Sequence, residues 1–529
     1  MQRTMAVVCA CAWFTLLGCG NSGPPATTGG ACVADGGPAF AGTMSITSNC
    51  VADHLDAGPF PFKPTCGLPH TPTFTSAPVT TLDPGSTTCV RPSKISALAQ
   101  AAQTFCSRGV GTTIFFNVPQ GTGSVTVISQ AHSGVQDAPV SISDSTTNTC
   151  SAAPNSVAPT FVTDPNQRVL LDFPYVTGDP VDAGIYYASL ASSTGAMTFP
   201  DSAYLLDQVR DGGLPAGQWN LSVDDLANDC SVFSNCTGGS KTGVYDVTII
   251  AKPMAPPTGT VDVGIYLVNA PGGLTAANAA TAAQSSTTEL GRMFQTLQTL
   301  YGNAGICLGS VTFYDVPSWA QGRYSAGIDA DHTEPCSVLD QMFANLSQPG
   351  NTLNFFFVAS ITSSSQAGTT TVGIDGTIPG PSTAGGTVHS GAAVSSADLL
   401  TGTGLSGCTS TLPDYAACGP DKVAYIAAHE GGHALGLYHT VESLGDAFDP
   451  LSDTPQCPCA TCIPDAGVTQ TCGTDPTKSY QLKPANCLPP APAACGSGDN
   501  LMFWEIGTGS TGALSAQQKQ VMLGNPVVQ

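Results

Sequence analysis

The run Ala427-Ala428-His429-Glu430-Gly431-Gly432-His433-Ala434-Leu435-Gly436-Leu437-Tyr438-His439-Thr440 constrains this 529-residue chain more than any other stretch. His429 and His433 are four residues apart, so on a helix they share a face and both imidazoles reach a single ion. Glu430 sits beside them, placed to take a proton from an activated water and pass it to a leaving amine rather than to ligate. Gly436, three residues after the second His, lets the backbone turn sharply out of the helix and brings His439 round as a third ligand. Three neutral imidazoles with a fourth position open are the donor set of catalytic rather than structural zinc. With eight His and only five Glu in the chain (Glu289, Glu334, Glu430, Glu442, Glu505), the HExxH core should arise by chance about 0.001 times, and the added Gly and third His lower that to roughly 10⁻⁶.

The rest of the composition sets the context. Against 37 Asp+Glu there are 15 Lys+Arg, a net charge of −22, which argues against a nucleic-acid partner. The length leaves room for two or three domains with their own cores, and 59 Gly with 41 Pro favour β-rich parts and long loops over helical bundles. At the N-terminus Arg3 precedes an apolar run from Met5 to Leu17, the pattern of an export signal and too short to span a membrane. The run ends at Leu16-Leu17-Gly18-Cys19, which resembles the lipobox of bacterial lipoproteins; residues 1–18 would then be removed and Cys19 lipidated, the alternative being an ordinary secretion signal. Of 21 Cys, 18 remain after Cys9, Cys11 and Cys19 are set aside, an even number suited to disulfides outside the cytosol. The cluster Cys457, Cys459, Cys462 reads as disulfides in a loop, with a thiolate zinc site as the alternative.

Residues 19–90 read as a Gly/Pro/Ser/Thr-rich tether or lead-in. From 91 to 252, short β-branched runs (Thr112–Val118, Ser124–Ser129, Val169–Phe173, Trp219–Val223, Val244–Ile250) alternate with turns, the pattern of an all-β sandwich. Its late strands resemble accessory sandwiches of secreted proteases; an unrelated sandwich would look the same. After a Pro-rich linker at 253–257, Val261, Val263, Ile265 and Leu267 share one face of a strand, and a long helix is expected within 275–302. Strands at Ser310–Val316 and Leu353–Ile361 flank a helix at Ser337–Leu346, an α/β layer. Val372–Ile378 and Gly391–Ser395 read as an edge hairpin able to take an extended peptide.

The motif matches the metzincin zinc peptidases at every fixed position of HExxHxxGxxH. The resemblance is closest to the pappalysins, carried by Leu435-Gly-Leu-Tyr-His439-Thr440, Gly445-Asp446, Leu451-Ser-Asp-Thr-Pro455, Asp499-Asn-Leu-Met502-Phe503 and Leu514-Ser-Ala-Gln-Gln518. It covers about 258–529 and is strongest from 420 onward. The implied fold class is multidomain: an N-terminal all-β sandwich plus a C-terminal α/β (α+β) metzincin-type zinc peptidase domain. By the same resemblance Met502 is the Met-turn residue beneath the imidazoles, and Asp446, Asp449, Asp453 and Thr454 are oxygen ligands for calcium. The Tyr that the family places two residues after that Met is Trp504 here, a candidate oxyanion donor with one N–H. Gly431-Gly432 inside the active-site helix predicts a loose metal-free site. His54, His70, His132, His332 and His389 lack ligand spacing and read as surface or core residues.

The expected activity is that of an exported zinc-dependent endopeptidase acting on protein or peptide substrates, held to the cell envelope, and to the outer membrane in particular, through lipid on Cys19. Two alternatives stay open. One is a catalytically impaired, adhesin-like surface lipoprotein in which the sandwich binds the partner. The other is a latent enzyme in which a thiolate such as Cys32 fills the open zinc position until residues before about 90 are removed.

Overall fold

The computed structural model describes residues 73–78, 102–109, 113–131, 157–172, 194–225, 244–255 and the greater part of 258–529, all within the compact unit that spans 36–529. Cys19, Cys32, His54, His70, His132, His332 and Asp446 lie outside the described residues.

Two antiparallel sheets make up the N-terminal part. In chain order β1 is Thr73–Pro78, β2 Ala102–Gly109, β3 Thr113–Val118, β4 Thr122–Ala131, β5 Val157–Thr163, β6 Val169–Asp172 and β7 Thr194–Phe199; helix α1 (Ala203–Arg210) follows, then β8 Gly217–Asp225 and β9 Val244–Pro253. One sheet runs β2-β9-β4-β7 and the other β3-β8-β5-β6. Their alternate residues meet in one core: Ile114 and Phe116 of β3, Val125 and Val127 of β4, Met197 and Phe199 of β7, Trp219 and Leu221 of β8, Val247 and Ile249 of β9. This is the period-2 alternation of strands that bury one face. Trp219 is fully buried between Phe116 and Phe199, at 6.1 Å and 5.9 Å, and its indole N–H donates to Pro215 O at 2.8 Å. All five strands expected here are present, each within a few residues.

Beyond Pro253 the sheet becomes parallel. β10 is Gly259–Leu267, α2 Ala276–Ala283, α3 Glu289–Asn303, β11 Ile306–Asp315, α4 Ser318–Tyr324, α5 Val338–Leu346, β12 Leu353–Val358, β13 Gly373–Asp375, β14 Ala392–Ser395, α6 Gly419–Ala434 and α7 Ala516–Gly524. The six strands run β1-β11-β10-β12-β14-β13, parallel except for the antiparallel edge pair β13–β14. Val261, Val263, Ile265 and Leu267 do share a face, joined there by Phe355 and Phe357 and packed under α3 and α6. Tyr266 and Phe356 point the other way, stacked 4.4 Å apart under α4 and α5. Burial on both faces explains the near-continuous apolar runs of these strands.

Two sequence expectations change in detail. The long helix expected within 275–302 is α3, which buries Leu290, Met293, Phe294, Leu297 and Tyr301, and a shorter α2 precedes it, because Thr275 and Thr288 each cap a start: their hydroxyls accept from Asn278 N (3.4 Å) and Gly291 N (3.1 Å). The segment read as a lead-in contributes β1, which pairs with β11 and sets Phe74 5.1 Å from Phe294 and 6.5 Å from Phe313. We expect Phe74→Ala to cost about 2 kcal/mol, less than for a fully buried ring, and removal of residues 1–79 to cost more. Denaturant titration of both variants is the check; unchanged midpoints would contradict this edge contact.

Candidate metal centre

The helix that carries the motif is fixed at its start. Asp421 in the first turn of α6 is fully buried, and its carboxylate accepts from Arg292 Nε (2.8 Å) and Nη2 (2.7 Å), Thr296 Oγ1 (2.5 Å) and Asp414 N (2.8 Å). Four donors compensate a charge that would otherwise be costly to bury, and they tie α6 to α3. The preceding residue but two, Cys418, is bonded to Cys408.

Further along the helix, every imidazole is oriented by its Nδ1. His429 Nδ1 faces Leu501 O at 2.7 Å, His433 Nδ1 faces Leu437 O at 2.7 Å, and His439 Nδ1 faces Glu442 Oε1 at 3.0 Å. Carbonyl and carboxylate oxygens only accept, so Nδ1 carries the hydrogen in each ring and the neutral rings present bare Nε2 lone pairs. Those nitrogens converge: His439 Nε2 lies 3.2 Å from Nε2 of both His429 and His433, and the three potential ligand atoms fall within 4.8 Å of one another. Three lone pairs in one place repel. A proton on His439 relieves one pair at a time, whereas a divalent cation serves all three; nitrogens at 2.0–2.1 Å around one tetrahedral zinc stand ~3.3 Å apart. The donor set fits a metal of that kind. Gly436 has φ +105°, the left-handed turn that swings His439 into place.

The electrostatics agree. Burial, with the neighbouring His439, pulls His429 down to about 3 and His433 well below its ordinary value, so both rings are neutral. Burial also pulls on His439, but the Glu442 carboxylate outweighs it and raises that ring. Glu442 itself is pushed up by burial and brought net below its ordinary value by His439. Glu430 is buried and raised to about 8 by desolvation, against the opposing pull of His439 and the backbone N–H of Asp375. Asp375, on edge strand β13, is pushed well above its ordinary value by burial and by Glu430. Its Oδ1 and the nearby Tyr301 hydroxyl are buried without a partner.

Both glycines of the motif meet close neighbours. A Cβ on Gly431 would collide with the Tyr301 hydroxyl, and one on Gly432 with Met502 Sδ. The helix runs unbroken through both, and each marks a tight approach. Met502 is fully buried against Gly432, between the two helical ligands. Its N–H donates to Asn500 Oδ1 (2.8 Å) and its carbonyl accepts from Thr440 N (3.0 Å).

Trp504 requires a correction. Its only donor is given to Leu482 O at 2.9 Å, with the Lys483 ammonium 5.5 Å from the ring, so the indole packs the Cys-rich region and has no hydrogen left for an oxyanion. Of the oxygen ligands expected for calcium, Thr454 Oγ1 donates to Asp449 Oδ1 at 2.5 Å, and Asp449 Oδ2 is buried without a partner. Asp453 instead accepts from Gln517 N at 2.9 Å. Among the described residues two of these positions converge, short of the six to eight oxygens calcium needs. Cys457 is bonded to Cys487 and Cys462 to Cys495, and Cys459 is also in a disulfide, which excludes the thiolate zinc alternative. His389 is a core residue whose Nδ1 donates to Gly376 O at 2.6 Å. Glu442, Asp375 and Tyr301 gave no signal in the sequence beyond the rarity of Glu.

No protein-family profile matches the chain, and neither does any curated protein. Solved structures with some likeness include metalloproteinase-II from Bacteroides fragilis, at 13% identity and TM-score 0.18 over 42% of this chain and 62% of that one. A family two carbohydrate esterase from Cellvibrio japonicus has 9% identity and TM-score 0.11 over 52% of this chain and 65% of its own. The chain spans less than two thirds of either, and likenesses of this size decide nothing about fold or chemistry. Among the described residues no helix is long and apolar enough to cross a membrane, and the disulfides are compatible with export.

These directions fix a pH dependence for the metal-free chain. Below 6.5 His429 and His433 bind fewer protons folded than unfolded, so both make stability rise with pH toward 6.5, His429 from about 3 upward. Glu430 and Asp375 bind more protons folded than unfolded; the contribution of Glu430 is lost as pH rises through about 8, and that of Asp375 is lost above its ordinary range. We expect the thermal midpoint of the chelated protein to be highest between about pH 4.5 and 6.5 and to fall on both sides. Lys252, lowered to about 7 by burial, binds fewer protons folded than unfolded and offsets part of the fall above pH 7. The check on the carboxyls is therefore Glu430→Gln, whose midpoint should fall less between pH 6.5 and about 8; an equal fall would contradict them.

Proposed function

We propose that this protein is an exported zinc-dependent endopeptidase of the metzincin type, nearest the pappalysins, with an N-terminal β-sandwich and a lipid anchor at Cys19. The observation that carries the reading is the convergence of three outward-anchored imidazoles beside the buried Glu430.

His429, His433 and His439 would hold the metal. Zinc, when bound by three imidazoles, acts as a Lewis acid that lowers the pKa of water and polarises a peptide carbonyl. Glu430 supplies the proton traffic: as carboxylate it accepts a proton from the attacking water, and as acid it delivers that proton to the departing amine nitrogen. The backbone N–H of Asp375 steadies the Glu430 carboxylate, and Glu442 holds His439 in the tautomer that keeps its Nε2 free. Edge strand β13 lies beside Glu430, since a Cβ on Gly373 would collide with its carboxyl. An extended protein substrate adding to that edge would bring its backbone to the site. The impaired, adhesin-like reading draws its support from Trp504, whose donor is already used.

Cleavage of a denatured protein separates the two. We expect Glu430→Gln to lower the rate ~10³-fold, within the range for general acid–base residues, while leaving metal content unchanged, and chelation to abolish cleavage reversibly. Metal bound but no cleavage by the unaltered chain would favour the binding protein.

A further inference from the structure

We propose that the two-sheet region, residues 102–253, is a positioning element of the metal centre: it grips the turn 435–439 that delivers His439 to the other two histidines. The inference rests on the metal reading above.

Three separate contacts carry it. Tyr438, the residue before the third histidine, belongs to the hydrophobic core of the two sheets, together with Met197, Phe199 and Trp219, and not to the core around α6. Alongside it Gly436, Ile378 and Pro379 face Ala196, Met197 and Thr198 of β7 across a narrow crevice. The second contact is Lys252 on β9, a buried ammonium whose Nζ donates to Leu523 O (2.5 Å), Asn525 O (3.1 Å) and Val528 O (2.6 Å). Asn525 in turn gives its Nδ2 hydrogen to Ala434 O at 3.3 Å, at the last residue of the metal-binding helix. Ser124 Oγ reinforces the same stretch by donating to Gly524 O at 2.6 Å. The third is α1, which places Leu205 in the core of the sheets and Leu206 in the C-terminal core.

Burial pulls the Lys252 ammonium down to about 7, and it is retained where oxygens replace its water; its three carbonyl acceptors belong to the segment leading back to α6. Within itself the turn 435–439 is held by Gly436 N to His433 O at 2.8 Å, Leu437 N to Gly432 O at 2.9 Å and His433 Nδ1 to Leu437 O at 2.7 Å, and Leu435 and Leu437 pack in the core around α6. Tyr438, beside the third ligand, is the residue that the two sheets hold. A ligand already in place before the ion arrives binds it more tightly than one that must be ordered on binding. The sheets add to that order at Tyr438, from outside the core around α6.

Zinc affinity of the full chain is the readout, by competition with a chromogenic chelator, for Tyr438→Leu, Lys252→Met and, as a control in the same core away from the bridge, Phe116→Leu. Folding of each is verified by circular dichroism. Outer-shell partners of metal ligands typically change affinity ~10–100-fold, so we expect Tyr438→Leu and Lys252→Met to raise the zinc Kd about 10-fold or more and Phe116→Leu to leave it nearly unchanged. The two bridge variants act at separate contacts, so one that folds suffices; should neither fold, Met197→Val probes the same crevice more gently. Wild-type affinity in a folded bridge variant, or an equal loss in the control, would overturn the proposal. An unaltered chain that binds no zinc would instead remove the metal reading beneath it.

Discussion

Three imidazole lone pairs held face to face is an arrangement that neutral rings avoid, and the surrounding structure is organised to maintain it. Each ring is anchored by the nitrogen that points away: His429 to the backbone beside Met502, His433 to the backbone of its own turn, His439 to Glu442. The anchors are themselves braced. Asn500 binds the Met502 N–H and exchanges amide contacts with Gln518 of α7, while the Arg292–Asp421 pair pins the far end of α6. Preorganisation of this kind lowers the cost of ion capture, because little has to be ordered when the ion binds.

The same closeness shapes the proton chemistry. Glu430 lies against edge strand β13, and its burial raises its proton affinity, while its own charge helps to raise that of Asp375. A general base must be ionised to begin and protonated to finish. Desolvation favours the protonated form and the Asp375 N–H the ionised one; a nearby cation would also favour ionisation. Gly431 and Gly432 allow this crowding, since any side chain at either position would push Tyr301 or Met502 away.

Much of the site was legible because its spacing is local. Two histidines four apart, a glutamate beside the first and a glycine at the required turn are covalently fixed relations, and helix geometry converts them directly into three dimensions. The strand alternation of Val261 to Leu267 and of the N-terminal sheets was equally local. What escaped depends on contacts between distant residues. The role of Asp375 arises only when β13 is laid beside α6, and that of β1 only when Thr73–Pro78 pairs with β11, more than two hundred residues later. Trp504 was misplaced for the same reason, since no spacing rule reveals that its N–H is met by Leu482.

The central claim is that His429, His433 and His439 form one ion site through their Nε2 atoms. Its most direct test is metal content with X-ray absorption on the full protein loaded with zinc, beside His439→Ala. The account predicts about one zinc per chain with three nitrogen neighbours at ~2.0 Å and no sulfur, and one nitrogen fewer in the variant. Zinc held by sulfur, or a coordination shell unchanged by the loss of His439, would contradict it.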